Sequence, residues 1–178
     1  MSAKKEASRK RLSTVYNTLA LVNIKIVMEF ASYITGFVDG EGCFCISFNR
    51  RDTLNTRIEV RPSFSVSQKK HSLSALQAIQ KYFACGGIRY SSRDGTYKYE
   101  VRSLEDLNRI IIPHFQKYPL QTAEGRDFEL FSSICTMMKS NLHRNTDCLK
   151  EILELAFKMN VCGTRRYSKI ELLKLSTR

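Results

Sequence analysis

The feature that most narrows the fold is a change of hydrophobic period at residue 42. Residues 31–41 read as a short helix running into Gly36, Gly40 and Gly42. From Cys43 the pattern alternates strictly: Phe44, Ile46 and Phe48 are apolar, with Cys43, Cys45, Ser47 and Asn49 between them. Successive side chains of a strand point to opposite faces, so this is a half-buried strand with one accessible face. A second strand follows at about 58–68, with Val60, Phe64 and Val66 toward the core and Glu59, Arg61, Ser63, Ser65 and Ser67 on the other side. Pro62 falls in the core-facing register and has no N–H to donate, so irregularity is expected there.

Further along, Ser72 is placed to cap a helix whose stripe is Leu73, Leu76, Ile79 and Phe83, stopped by Gly86-Gly87. A hairpin follows, with strands at about 87–92 and 96–102 around Asp94-Gly95. Ser103 and Asp106 open a helix to about 117, and Thr122 caps one over about 123–139 with Phe128, Phe131 and Met138 inward. Helices are also expected over 12–27, 147–160 and 167–175. The order is α-β-β-α-β-β-α with extra N- and C-terminal helices, an α+β architecture around a four-stranded antiparallel sheet. Helices must cover its apolar face. The face rich in Ser, Asn, Arg, Lys and Glu is left to solvent, and suits a DNA groove.

Charge points the same way. The chain has 29 Lys and Arg against 17 Asp and Glu, a formal net charge of +12. Such an excess on a small chain favours a polyanionic partner. No apolar run reaches the ~18–20 residues of a membrane span, and Thr18–Phe30 is broken by Asn23 and Lys25. The basic start (Lys4, Lys5, Arg9, Lys10, Arg11) reads as a flexible arm, with an organellar transit peptide as the alternative. The six cysteines form no C-x-x-C pair and no zinc spacing, which reads as reduced thiols in an intracellular protein.

The chemistry concentrates in Ile34-Thr35-Gly36-Phe37-Val38-Asp39-Gly40-Glu41-Gly42. Gly36 and Gly40 share a helix face on which two backbones can approach closely. Glu41 falls at the negative end of the helix dipole, where a carboxylate calls for a compensating cation. By spacing alone, an acidic turn after a chance pair of glycines remains the competing reading.

This stretch, the alternating strand after it, Phe64-Ser-Val-Ser-Gln-Lys-Lys70 and Pro113-His-Phe-Gln-Lys-Tyr-Pro-Leu120 together resemble the LAGLIDADG homing endonuclease family. The likeness spans about 31–140, leaving 1–30 as a basic arm and helix and 141–178 as a C-terminal helical extension. It implies a homing-endonuclease-like fold and a site-specific endonuclease hydrolysing double-stranded DNA with Mg²⁺, or another divalent cation such as Mn²⁺ or Ca²⁺. It implies Glu41 as the metal-binding carboxylate, the Gly40 carbonyl as a further ligand, and Gln68 as an orderer of solvent in the cleavage site. Asp39, at the first acidic position, is implied to be structural. One departure stands out: the family's lysine after Tyr-Pro-Leu is absent, and Gln121, Thr122, Ala123 and Glu124 stand there. Arg126 or Lys69 is left to supply the positive charge.

Only one such motif occurs, so the resemblance implies a homodimer built on the motif helix, with Gly36, Phe37, Asp39 and Gly40 in its interface. Base readout is expected from Ser47, Asn49, Arg51, Arg61, Ser63, Ser65, Arg89, Lys98 and Glu100 on the open face. Phosphate contacts are expected from Lys69, Lys70 and Lys139, with Lys117, Arg126 and the C-terminal basic residues. An RNA-binding intron-splicing maturase, with intron RNA as partner, and a cleavage-dead DNA-binding protein remain alternatives on the same fold. The resemblance points to an organelle, chloroplast or mitochondrion.

Overall fold

The computed structural model describes residues 21–22, 25–160 and 163–176 of the 178-residue chain. The basic arm and most of the helix expected over 12–27 lie outside the described residues. The chain divides into two compact units, residues 1–34 and 35–178. In the first, residues 25–34 are helical, with Lys25 and Glu29 4.0 Å apart and the rings of Phe30 and Tyr33 stacked at 5.7 Å. In the second unit residues 35–41 are helical and are termed α1, and residues 31–41 are helical as expected.

In the second unit β1 (Gly42–Arg50) pairs antiparallel with β2 (Ile58–Lys69), from Gly42↔Val66 to Arg50↔Ile58. The register passes Ile46↔Pro62 without interruption, so the expected irregularity is absent. β4 (Thr96–Val101) borders β2 only from Lys69 back to Phe64. Pro62 therefore lies where β2 has a single neighbour, and its missing N–H leaves fewer ladder bonds to lose. β3 (Gly87–Ser91) completes the order β1-β2-β4-β3, making β1 and β3 the edges.

A 3₁₀ turn (Lys70–Ser72) leads into α2 (Leu73–Phe83). Ser72 occupies the N-cap position but its side chain makes no capping bond, because this turn already leads the chain into the helix. The helix ends at Ala84 in the left-handed region (φ 51°), ahead of the glycines. Gly86 is the obligatory one: its φ is +70°, and a Cβ there would sit 2.6 Å from the Glu100 carbonyl oxygen. The Ser103 hydroxyl accepts from the Asp106 N–H and opens α3 (Leu104–Asp106). That helix widens into a π-helical stretch (Leu107–Ile111) before α4 (Ile112–Lys117), where Pro113 removes one ladder donor. α5 (Ala123–Lys139) carries the expected Thr122 cap. α6 (Thr146–Ala156) is capped by Asn145, whose Oδ1 accepts from the amides of Asp147 and Cys148, and α7 is Lys169–Ser176.

The core is aromatic. Phe44 meets Phe64, Phe115, Phe128 and Phe131 at ring-centroid distances of 5.2–5.4 Å. Each such buried side chain contributes about 2–3 kcal/mol. α5 packs on β1, and α2 on β2 and β4, so these helices lie on the apolar face. Phe128, Phe131 and Met138 are buried as expected. His114 is buried too, its Nδ1 3.3 Å from the Tyr82 hydroxyl and its Nε2 without a partner among the described residues. Burial pushes its pKa down to about 4.

Candidate metal and nucleic-acid site

α1 ends at Glu41 and β1 begins at Gly42, with no linker between them. Gly42 permits this junction: a Cβ there would come within 2.5 Å of Val38 Cγ1 and 2.6 Å of the Val38 carbonyl oxygen. Gly36 and Gly40 differ. Both are exposed, and a Cβ on either would meet nothing within 4 Å. Packing among the described residues therefore does not require glycine at these positions. Glu41 is exposed and makes no hydrogen bond or ion pair among the described residues. It stands at the negative end of the α1 dipole, with no ion pair among the described residues to offset its charge.

Asp39 is engaged within the chain. Its carboxylate accepts from the Gln121 N–H (2.8 Å), the Thr122 N–H (3.1 Å) and the Thr122 hydroxyl (2.9 Å). Burial pushes its pKa up, but these bonds outweigh burial and hold the carboxyl below its usual range. Its oxygens tie the end of α1 to the start of α5. Of the residues that depart from the family pattern, Thr122 supplies its hydroxyl to Asp39, while the Gln121 and Thr122 amides would be offered by any non-proline residue there. Glu124, next along, is half-buried, and burial followed by the nearby Asp127 and Asp39 charges raises its pKa. Among the described residues no group of three or more His, Cys, Asp or Glu side chains is placed to hold a metal ion.

The open face of the sheet is built by register. Cys43, Ser65 and Glu100 lie in one row across β1, β2 and β4; Ser47 pairs with Arg61, Asn49 with Glu59, and Ser67, Lys98 and Arg89 form another row. Ser47, Arg61 and Arg89 are exposed, while Asn49, Ser63 and Lys98 are half-buried. Arg51, just past β1, pairs with Glu59 at 3.0 Å. Lys69 and Lys70 are exposed at the end of β2, and Lys139 is exposed at the end of α5, on a helix of the apolar side.

Two expected readers are little exposed. Ser65 is only 3% exposed. The Glu100 carboxylate is 10% exposed and held by Arg89 (3.1 Å), Arg102 (2.9 Å) and Lys98 (3.9 Å). Its oxygens orient three cations rather than awaiting a cytosine. Gln68 pairs with Tyr97 on the face of Val66 and Tyr99, two residues past the Gly42↔Val66 pair, which places it at the α1 end of the sheet but off the open face. The sequence pattern groups Arg165 with the C-terminal basic residues expected at phosphate and does not single out Arg102 or Asn160. Asn160 Nδ2 donates to the Phe44 carbonyl (2.7 Å) and Arg165 Nη1 to the Ile46 carbonyl (3.0 Å), contacts at separations of 116 and 119 residues that no local pattern signals.

The second unit thus sets a polar antiparallel sheet face opposite its covering helices, with an acidic Gly-Glu-Gly helix end at its margin. Residues 34–135 match the model of the LAGLIDADG endonucleases, and the chain belongs to that family. It is similar to probable intron-encoded endonuclease 2 of Neurospora crassa, 36% identical over 132 residues that make up 72% of this chain and 29% of that protein. Among solved structures it resembles the homing endonuclease I-TnaI (33% identity, TM-score 0.72), covering 82% of this chain and 94% of that one. It also resembles I-SmaMI bound to uncleaved DNA target in the presence of calcium ions (30% identity, TM-score 0.74), covering 81% of this chain and 47% of that one. The chain spans between a quarter and a third of the length of the first curated relatives it matches.

Proposed function

We propose that this chain is a site-specific DNA endonuclease of the intron-homing kind, acting as a homodimer with a divalent cation. The observation that carries the reading is Glu41: an exposed carboxylate without a partner among the described residues, at a helix C-terminus and at the margin of a polar sheet face, in a chain of this family. Its donors fit the cation. The Glu41 carboxylate and the Gly40 carbonyl are hard oxygens of the kind Mg²⁺ or Ca²⁺ takes, and they would hold it. When bound, such an ion activates a water and stabilises the leaving oxygen of phosphodiester hydrolysis.

The chain's own residues do the rest. Asp39 fixes the end of α1 against α5, which sets where Glu41 points. Arg61 and Arg89, with Ser47 and Asn49, offer donors and acceptors for base edges. Lys69 and Lys70 lie at the Glu41 end of the sheet, where they offer charge to the backbone near the cut. Gln68, at the same end, is the candidate for ordering solvent.

The homodimer rests on the single motif and on the exposed Gly36 and Gly40, where a second α1 meets no side chain. The match to about half of the I-SmaMI chain supports it, since room for a second copy of the fold remains there. Intron-encoded relatives support an organellar genome as the gene's home.

The test is incubation with Mg²⁺ and a randomised duplex library, beside Glu41→Gln. Wild type is expected to cut a narrow set of sites, and Glu41→Gln to bind that set without cutting it. Cleavage by both, or by neither, refutes the role of Glu41.

A further inference from the structure

β1 is an edge strand, and an edge presents a row of unpaired backbone groups. Here that row is met by side chains from the end of α6 onward, beyond the stretch that matches the family model. Asn160, in the left-handed region at φ 50°, donates to the Phe44 carbonyl, while its own N–H donates to Asp127 at 3.0 Å. Arg165 is a clamp. Nη1 donates to the Ile46 carbonyl, Nη2 donates to the carbonyls of Ala156 at the end of α6 and Met159 just past it, and the guanidinium lies 4.8 Å from the Phe157 ring centroid. Tyr167 lines one groove with Asn49. Residue 160 meets 44, residue 165 meets 46 and residue 167 shares that groove with 49, so the described residues of this strap follow β1 in the same direction.

The strap widens the open face. A groove of about 290 Å³ separates it from β1, walled by Cys45, Ser47 and Asn49 on one side and Thr164, Arg166 and Tyr167 on the other. Ser47 and Asn49 are among the expected base readers. Arg165 is occupied by carbonyls and Lys169 is paired with Glu154. Arg166 is exposed, forms no ion pair among the described residues, and lies over the Tyr167 ring at 5.3 Å.

We propose that the strap over residues 163–168 is a fifth element of the DNA-binding face, with Arg166 taking a backbone phosphate beside β1 and Arg165 acting as the positioning residue that holds it there. The inference rests on the DNA-binding reading above. Its grounds are the continuity of the groove with the open face and the match between a cation without an acidic partner and a polyanion.

The test measures affinity for the duplex pool that the wild-type protein selects from a randomised library, between 50 and 200 mM salt, for wild type, Arg166→Ala, Arg165→Ala and Lys81→Ala. Lys81 lies on α2, on the covered side of the sheet, and controls for the loss of one charge. One phosphate contact adds about 0.9 to the salt slope, so the Arg166→Ala deficit is expected to shrink about 3.5-fold over this range, equally for every sequence in the pool. Arg165→Ala is expected to lose the same slope although its guanidinium is bound to carbonyls. Lys81→Ala is expected to keep the wild-type slope. Arg166 is exposed, so its variant remains decisive even where Arg165→Ala fails to fold. An Arg166→Ala slope equal to that of Lys81→Ala overturns the proposal while the DNA reading stands. Failure of the wild type to select any pool overturns the DNA reading itself.

Discussion

Asp39 is the sharpest place to separate structure from chemistry, because it lies two residues from the proposed metal ligand and carries the same charge. Its carboxylate accepts from two amides and one hydroxyl of residues 121–122. A bond to a charged acceptor is worth about 1.5–3 kcal/mol when buried, but here water can replace the lost acceptor, so about 0.5–1 kcal/mol per donor is the fitting scale. Asp39→Ala is therefore expected to destabilise the fold by about 2 kcal/mol, and Asp39→Asn, which keeps one oxygen, by about half of that. For a chain of this size that is a fall in Tm of about 4–8 °C for the alanine variant. The assay is thermal unfolding by circular dichroism in excess chelator, so that no bound cation contributes. The pH dependence is a second readout. The folded pKa lies below the unfolded value of 3.8, so the stability from Asp39 is present above that value and lost as pH falls through the folded pKa. Asp39→Asn removes this dependence. A Tm within about 1 °C of wild type, with cleavage abolished, would refute the structural role and make Asp39 a ligand.

His114 gives a prediction of its own. Its folded pKa of about 4 lies below the unfolded value of 6.5, so stability declines as pH falls from 6.5 toward 4, by roughly 3 kcal/mol in all. Urea unfolding across that window is expected to show the slope in wild type and to lose it in His114→Phe. The glycines of the motif separate by role. Gly42→Ala forces a methyl onto Val38 and is expected to lower Tm in the isolated chain, whereas Gly36→Leu is expected to leave the monomer fold intact and weaken self-association in sedimentation.

The elements were legible wherever a pattern was local. Alternation through Phe44, Ile46 and Phe48 marks β1, and Ser103 and Thr122 cap their helices because a cap acts within three residues of itself. The Ile34–Gly42 motif placed Glu41 for the same reason, since helix end, glycine turn and strand start are consecutive. The reading failed where the deciding contact was distant. Pro62 is tolerated because β4 stops at Val101, opposite Phe64, a boundary written more than thirty residues away. Glu100 reads as an acceptor on a strand, and only the cross-strand arrival of Arg89, with Arg102 beyond it, engages it as a counter-ion on the open face.

By itself, then, the sequence determined the α+β order, the polar face of the sheet and the single carboxylate at the end of α1, all set by periodicity and by residues in sequence contact. Tertiary structure alone decided which polar groups remain to meet a ligand. Asp39 is bound to residues 121–122, Ser65 is covered, and Arg165 reaches back 119 residues to the edge of β1, while Glu41 is left without a partner among the described residues. The physical reason is that hydrogen bonds and burial depend on distance in space, and a strand pattern carries no information about what comes to rest beside its edge.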